Sequence, residues 1–273
     1  MTPTHPHRPL RVFAPVLTVL VLMGVLARPW VHAQDLPALG GFLELATSTD
    51  TRALLSAADL QALLPDRGPF TFPAPYGTRG VRLTNASDCD GWDDCVLGFG
   101  ASSWTHINNS TGSNDLYVVI GLNAMHGGTG PTLFHVDKTT GDAVNLGPLF
   151  APDEDLRLGD ASNWYFSSTQ PTTLYIGIDR QLRRLDVLTR TSSVVFDVSA
   201  AFGDDKEIWD PHSSRDDRVH SFGLALTTNG QALGCGVYRE DTHQFSFFPA
   251  IGTFFECRVD RSGQWIGRAF SSR

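Results

Sequence analysis

The densest run of side chains able to do chemistry is Trp209-Asp210-Pro211-His212-Ser213-Ser214-Arg215-Asp216-Asp217-Arg218-Val219-His220-Ser221. His212 and His220, with Asp210, Asp216 and Asp217, offer the nitrogen and oxygen donors that a divalent metal ion takes. The same groups can act as an acid and a base. The eight-residue gap between the two His is not the i, i+4 spacing of a helical metal site. The competing reading is a solvated loop whose Asp and Arg pair locally, where ion pairs contribute little. Trp164, Tyr165 and Trp209 stand at the head of candidate exposed segments, where sugar rings stack on aromatic faces. The alternative is that they fill a core, as most aromatic rings do. His126, inside the Gly-rich stretch 125–130, is a further candidate ligand-binding residue. Cys89 and Cys95 flank five residues and are the expected structural disulfide. Cys235 and Cys257 then pair with each other or stay reduced, since four Cys allow three pairings. No C-x2-C pair is present, which argues against a Cys-based metal site.

These residues sit in a chain of 273, with 41% hydrophobic and 18% charged residues, 26 Gly and 16 Pro. That length holds one large domain or two small ones and buries a sizeable core. Sparse charge with abundant turn formers favours strands and turns over helices. The formal net charge is -8, and no basic stripe offsets it. Nucleic acid is therefore excluded as the main partner, and so is a polybasic membrane-surface role.

The N-terminus carries an address. Arg8 and Arg11 precede an almost wholly apolar run over residues 12–26, and Val31-His32-Ala33 provides a cleavage site before Gln34. This is the order of a secretory signal peptide over residues 1–33. The apolar run falls short of the ~20 residues that span a bilayer, so no transmembrane anchor is expected after cleavage. The protein is expected to be exported, to the periplasm or the exterior, where disulfides form.

Residues 34–80 read as a helical lead and linker. Leu54, Leu55, Ala58 and Ala62 recur near helical spacing, so a short helix is expected over residues 49–64, capped by Thr49 or Asp50 and stopped by Pro65. Residues 67–80 hold three Pro and three Gly and read as linker. After Gly80 short strand patterns recur at 8–15 residue intervals with no helical pattern between them, which excludes a parallel βαβ architecture. A repeat underlies them. Val136-Asp137-Lys138-Thr139-Thr140-Gly141, Leu185-Asp186-Val187-Leu188-Thr189-Arg190 and the looser Tyr238-Arg239-Glu240-Asp241-Thr242-His243 each lead from one strand into the next. Thr140, Thr189 and Thr242 are 49 and 53 residues apart. A second turn series, at 113–115, 170–172, 229–231 and 262–264, interleaves with the first. Two turn series per period mean four strands per unit, the size of a propeller blade.

Leu174-Tyr175-Ile176-Gly177-Ile178, Leu182-Arg183-Arg184-Leu185-Asp186 and the Thr189 turn resemble blades of secreted bacterial β-propellers of the WD-repeat-like and PQQ-like kinds. Val259-Asp260-Arg261-Ser262-Gly263-Gln264-Trp265-Ile266 is similar to the turn of TolB-like blades. The resemblance covers residues 81–273 and implies an all-β fold, a partial β-propeller of about three and a half four-stranded blades. The strict Gly-His and Trp-Asp signatures of WD repeats are missing, and no cofactor site transfers. His212 and His220 also resemble, distantly, the His-rich metal site of oligogalacturonate-lyase propellers. That resemblance implies β-elimination on a uronate, with metal or Arg215 neutralising the carboxylate and a His as base. The family's full ligand set does not appear in order.

An odd half blade has three explanations: a chain cut from a longer propeller, closure by the strands near Val81 and Val96, or two chains closing one ring as a homodimer. Three functions follow. One is a binding or scaffold module that presents the propeller rim to a glycan or a protein. Another is a polysaccharide lyase or hydrolase with a divalent metal as its one candidate cofactor. The last is a remnant of a longer propeller.

Overall fold

A computed structural model describes residues 46–49, 51, 53–97, 104–151, 154–158 and 163–270. The expected signal peptide lies outside them. The chain is all-β apart from short helical turns. Three four-stranded antiparallel sheets follow one another, and in each the chain order of the strands is also their spatial order. The first holds β3 (Val96–Leu97), β4 (Asp115–Leu122), β5 (Gly130–Asp137) and β6 (Ala143–Pro148). The second holds β7 (Trp164–Phe166), β8 (Thr173–Ile178), β9 (Gln181–Asp186) and β10 (Thr191–Asp197). The third holds β11 (Lys206–Ser213), β12 (Val219–Leu226), β13 (Ala232–Arg239) and β14 (Gln244–Pro249). Two hairpins flank them: β1 (Gly68–Thr71) with β2 (Arg79–Arg82), and β15 (Phe254–Val259) with β16 (Ile266–Phe270).

The sheets pack face to face. Tyr117, Val119 and Leu133 of the first meet Trp164, Phe166, Leu174 and Ile176 of the second. Tyr165, Tyr175 and Leu182 on the other face of the second meet Phe222, Leu224 and Tyr238 of the third. Val219 and Val237 of the third meet Phe254 and Val259 of β15. Because both faces of the second sheet are covered, β8 reads as a continuous apolar run, and all of Leu174–Ile178 is buried. Leu174, Ile176 and Ile178 each contribute about 1.5–3 kcal/mol by leaving water. The arrangement is consistent with a propeller.

The Asp-led turns form as their chemistry dictates. Asp137 Oδ1 accepts from the Thr139 and Thr140 N–H, and Asp186 Oδ1 from those of Leu188 and Thr189. These bonds hold both carboxyls below the usual range, in Asp186 against the opposing effect of burial. All three members of this series join the third and fourth strands of a sheet. The second series does not keep one phase: 170–172 joins the first and second strands of its sheet, whereas 229–231 joins the second and third.

Two expectations for the lead change. The helix, α1 (Ala57–Leu63), begins later than residue 49, because Ser56 and Asp59 form a reciprocal capping box. Residues 67–80 are not a plain linker, since they contain β1 and open β2. Both disulfides are present, Cys89–Cys95 within a tight loop and Cys235–Cys257 between β13 and β15. They suit an oxidising compartment. No helix among the described residues is long and apolar enough to cross a membrane.

Close sheet packing needs room for large rings, and cross-strand glycines supply it. Trp209 pairs with Gly223 and Phe222 with Gly236. A Cβ on either glycine would overlap the facing ring. Gly223→Ala must displace the Trp209 indole, and such overpacking costs about 1–3 kcal/mol. Gly267→Ala, where a Cβ meets nothing nearer than 3.9 Å, should stay within about 0.5 kcal/mol. Urea unfolding midpoints of the two variants check this contrast.

Candidate functional site

Segment 209–221 is neither a solvated loop nor a connection between sheets. It is the end of β11, a turn, and the start of β12, all within the third sheet. In that hairpin His212 lies opposite Ser221, and Ser213 opposite His220. Successive residues alternate faces, so His212 and His220 project from opposite faces of the sheet. The expected trio of His212, His220 and Asp210 is therefore split. Among the described residues no three His, Cys, Asp or Glu side chains are grouped to hold a metal ion.

His220 faces the second sheet and is fully buried. Its Nδ1 lies 2.7 Å from the Tyr165 hydroxyl and its Nε2 lies 2.8 Å from Glu240 Oε1. Burial pushes the Glu240 carboxyl up, but the His220 hydrogen bond and the charges of His220 and Arg184 outweigh it, so it stays below its usual range. With Glu240 ionised, Nε2 donates to it, and Nδ1 and the Tyr165 hydroxyl share the second hydrogen bond. Burial, and then the neighbouring Tyr175, push the Tyr165 phenol well above its usual value, so it remains a donor. Tyr175 stacks on Tyr165, with centroids 5.0 Å apart. A carboxylate–imidazole–hydroxyl chain is a catalytic arrangement in principle. Here Tyr165 is 1% exposed and His220 0%, so the chain joins two sheets and only its Glu240 end, 26% exposed, meets solvent.

Asp217 performs the same joining one turn away. Its carboxylate accepts from Ser167 Oγ, Ser168 N, and the Thr169 N and Oγ1 on the second sheet's first turn, and from Ser213 Oγ on its own sheet. Every one of these donors is satisfied, which is what burial of a carboxylate demands.

The other face of the hairpin differs. A β-bulge separates Trp209 from His212. Asp210 sits in it with φ 47°, in the left-handed region, and its N–H donates to Asn163 Oδ1 at 3.1 Å. Its Oδ1 is 3.2 Å from His212 Nε2. Asp210 Oδ2 and His212 Nε2 are both buried without a hydrogen-bond partner. His106, from a 3-10 turn at Trp104–His106, stacks on Trp164 with centroids 4.2 Å apart. Burial lowers the His106 pKa, and the charge of His212 lowers it further, while Asp210 opposes both. His106 thus joins Asp210 and His212 in one neighbourhood. The sequence offers no spacing signal for it, since about a hundred residues separate it from them.

The remaining candidates fall elsewhere. Trp164 is 2% exposed beneath His106, and Tyr165 lies under Tyr175, so neither presents an open stacking face. Trp209 covers Gly223 and packs edge-on against Phe254. Arg215 is exposed in the β11–β12 turn, and its N–H donates to Arg261 O. His126 is exposed and stacks on Trp92 at 4.6 Å, and the neighbouring Gly127 sits tight against the Cys89 carbonyl.

No family model and no curated protein matches this sequence. Three solved structures resemble the fold. Tricorn protease is 18% identical with TM-score 0.34, over 56% of this chain and 14% of that one. An oligogalacturonate lyase in complex with manganese is 13% identical with TM-score 0.41, over 74% of this chain and 58% of that one. An oligogalacturonate lyase from Vibrio parahaemolyticus is 12% identical with TM-score 0.40, over 66% of this chain and 45% of that one. The chain thus spans less than two thirds of each.

Removing the His220 side chain leaves the buried Tyr165 hydroxyl unpaired, takes one partner from Glu240, and opens a cavity. His220→Ala should therefore cost about 3–5 kcal/mol and Tyr165→Phe about 1–2, read by denaturant unfolding. The Glu240 pKa is depressed on folding, so its contribution is complete above the unfolded value of 4.5 and is lost as pH falls through the lower folded value. Melting temperature should drop below about pH 4.5, and less steeply in Glu240→Gln.

Proposed function

We propose that this protein is an exported, metal-free binding module of the β-propeller class, with its ligand site at Asp210, His212 and His106. The observation that carries this reading is the pair of unpartnered polar atoms, Asp210 Oδ2 and His212 Nε2, on side chains that approach within 3.2 Å of each other. Leaving such a group unmet costs about 1–3 kcal/mol, so a partner that meets both recovers that cost on binding. A hydroxyl is the simplest such partner, because it donates to the carboxylate oxygen while accepting from the imidazole N–H. Sugars present many hydroxyls, so a neutral glycan is the ligand class. The bulge that turns Asp210 inward supports this reading, since bulges re-aim side chains at sites. Lyase chemistry has less support: His220, one of its two candidate bases, is fully buried, and net charge -8 repels polyuronates.

Calorimetric titration with neutral oligosaccharides tests it. Asp210→Asn and His212→Ala should each weaken binding about tenfold or more while Arg215→Ala leaves it unchanged. Equal binding by all variants would move the site elsewhere. The thermal melt should be the same with and without EDTA. A melt that EDTA lowers would overturn the metal-free reading.

A further inference from the structure

The three complete sheets follow one plan, and the two flanking hairpins match the parts of that plan each other lacks. First-to-second-strand turns of neighbouring sheets touch: Asp217, in the β11–β12 turn, accepts from Ser168 and Thr169 after β7. Arg215 of that same turn donates its N–H to Arg261 O, in the β15–β16 turn, at 2.9 Å. The β15–β16 hairpin therefore holds the first and second positions of a sheet that follows the third. Third-to-fourth-strand turns touch the outer strand of the preceding sheet: Arg190 donates to Leu146 O and Pro148 O on β6, each at 2.9 Å. Gly141, in the equivalent β5–β6 turn, lies directly against Pro69 of β1, with Val81 of β2 beside it. The β1–β2 hairpin therefore holds the third and fourth positions of a sheet that precedes the first. β2 also leads into β3 as every fourth strand leads into a first strand.

We propose that β16 of one copy pairs antiparallel with β1 of a second copy, and reciprocally, so that two chains close one ring. Each composite sheet then has the order β15-β16-β1-β2 that the other sheets already show. The edges suit this. β16 pairs only with β15, and β1 only with β2, among the described residues. Phe72 N donates to Thr78 O, so alternation turns the polar groups of Pro69 and Thr71 away from β2. Pro69 lacks an N–H at a position where β2 needs none, and the edge keeps two carbonyls and the Thr71 N–H. Large apolar side chains lie bare at both ends of the stack: Trp265 at 73%, Phe270 at 47% and Val81 at 36% exposure.

A second copy is the occupant because the structure keeps the two hairpins apart. Three sheets and their packed cores lie between them. Closing on itself, one chain would make a ring of four sheets and would have to join two hairpins whose strands, among the described residues, each pair only within their own hairpin. Two copies make about eight sheets, also within the range propellers use, and need no contact between the two hairpins of one chain. Two-fold closure also uses up both edges, which halts further growth.

Light scattering and amide hydrogen exchange on the intact purified chain, across a concentration series, test this. The expected result is a two-chain mass at high concentration. Protection in Gly68–Thr71 and Ile266–Phe270 should rise together with it and fall together on dilution. Thr71→Pro removes an edge donor that β2 does not use, so it should weaken the dimer about tenfold or more with an unchanged monomer melt. A monomer at every concentration overturns the proposal. So does a dimer in which these two segments exchange freely. Concentration-independent protection in a monomer overturns it in favour of closure within one chain. If Thr71→Pro fails to fold, the exchange series on the unaltered chain decides alone.

Discussion

A four-stranded sheet that is apolar on both faces is stable only between two neighbours. The second sheet imposes that condition on the whole molecule: Trp164, Phe166, Leu174 and Ile176 face one way, Tyr165, Tyr175 and Leu182 the other. Face-to-face stacking follows, because one helix or loop cannot cover two broad apolar faces. The glycines opposite Trp209 and Phe222 follow as well, since rings that fill an inter-sheet layer lie over the facing strand. Among the described residues, Trp265, Phe270, Val96 and Leu97 are left exposed toward the two ends of the stack.

Stacking also dictates the polar chemistry between sheets. Turns between first and second strands of neighbouring sheets are brought against one another. Their backbone N–H groups then lose water and need acceptors. Asp217 meets that need with a single carboxylate serving both sheets. His220 bridges Tyr165 and Glu240 in the same layer. These are joints in which every hydrogen-bonding group has a partner, and their chemistry-capable side chains are occupied in holding the sheets together.

Much of the architecture was legible because it is written in local chemistry. The Asp137 and Asp186 turns, their spacing, and the runs Leu174–Ile178 and Leu182–Asp186 of β8 and β9 are short-range patterns. So is the Cys89–Cys95 loop. The lead was less legible: a helix-like apolar spacing drew the start back to residue 49, although Ser56 and Asp59 supply the real cap. β11 was hidden because Asp210, Pro211 and His212 read as loop residues. They tolerate a strand there through a bulge and a left-handed Asp, neither of which has a periodic signature. Once β11 is known to be a strand, the separation of His212 from His220 follows from alternation alone. His106 was illegible for a different reason: only the stacking of one sheet on another brings it to Trp164 and His212.

The contrast between the two His of one hairpin separates structure from function. His220 has partners on both ring nitrogens and no exposure, so replacing it removes a joint. His212, on the opposite face, is close to Asp210 but lacks an aligned bond to it, and both leave an atom unmet. Nothing in the packing requires that arrangement: an apolar pair of similar size would fill the space without the desolvation cost. A fold that saturates Asp217 with five donors has the means to satisfy Asp210 too. Open hydrogen-bonding capacity at Asp210 and His212 is therefore what the proposed site rests on, and under that proposal it sets the chemistry that an incoming hydroxyl would complete.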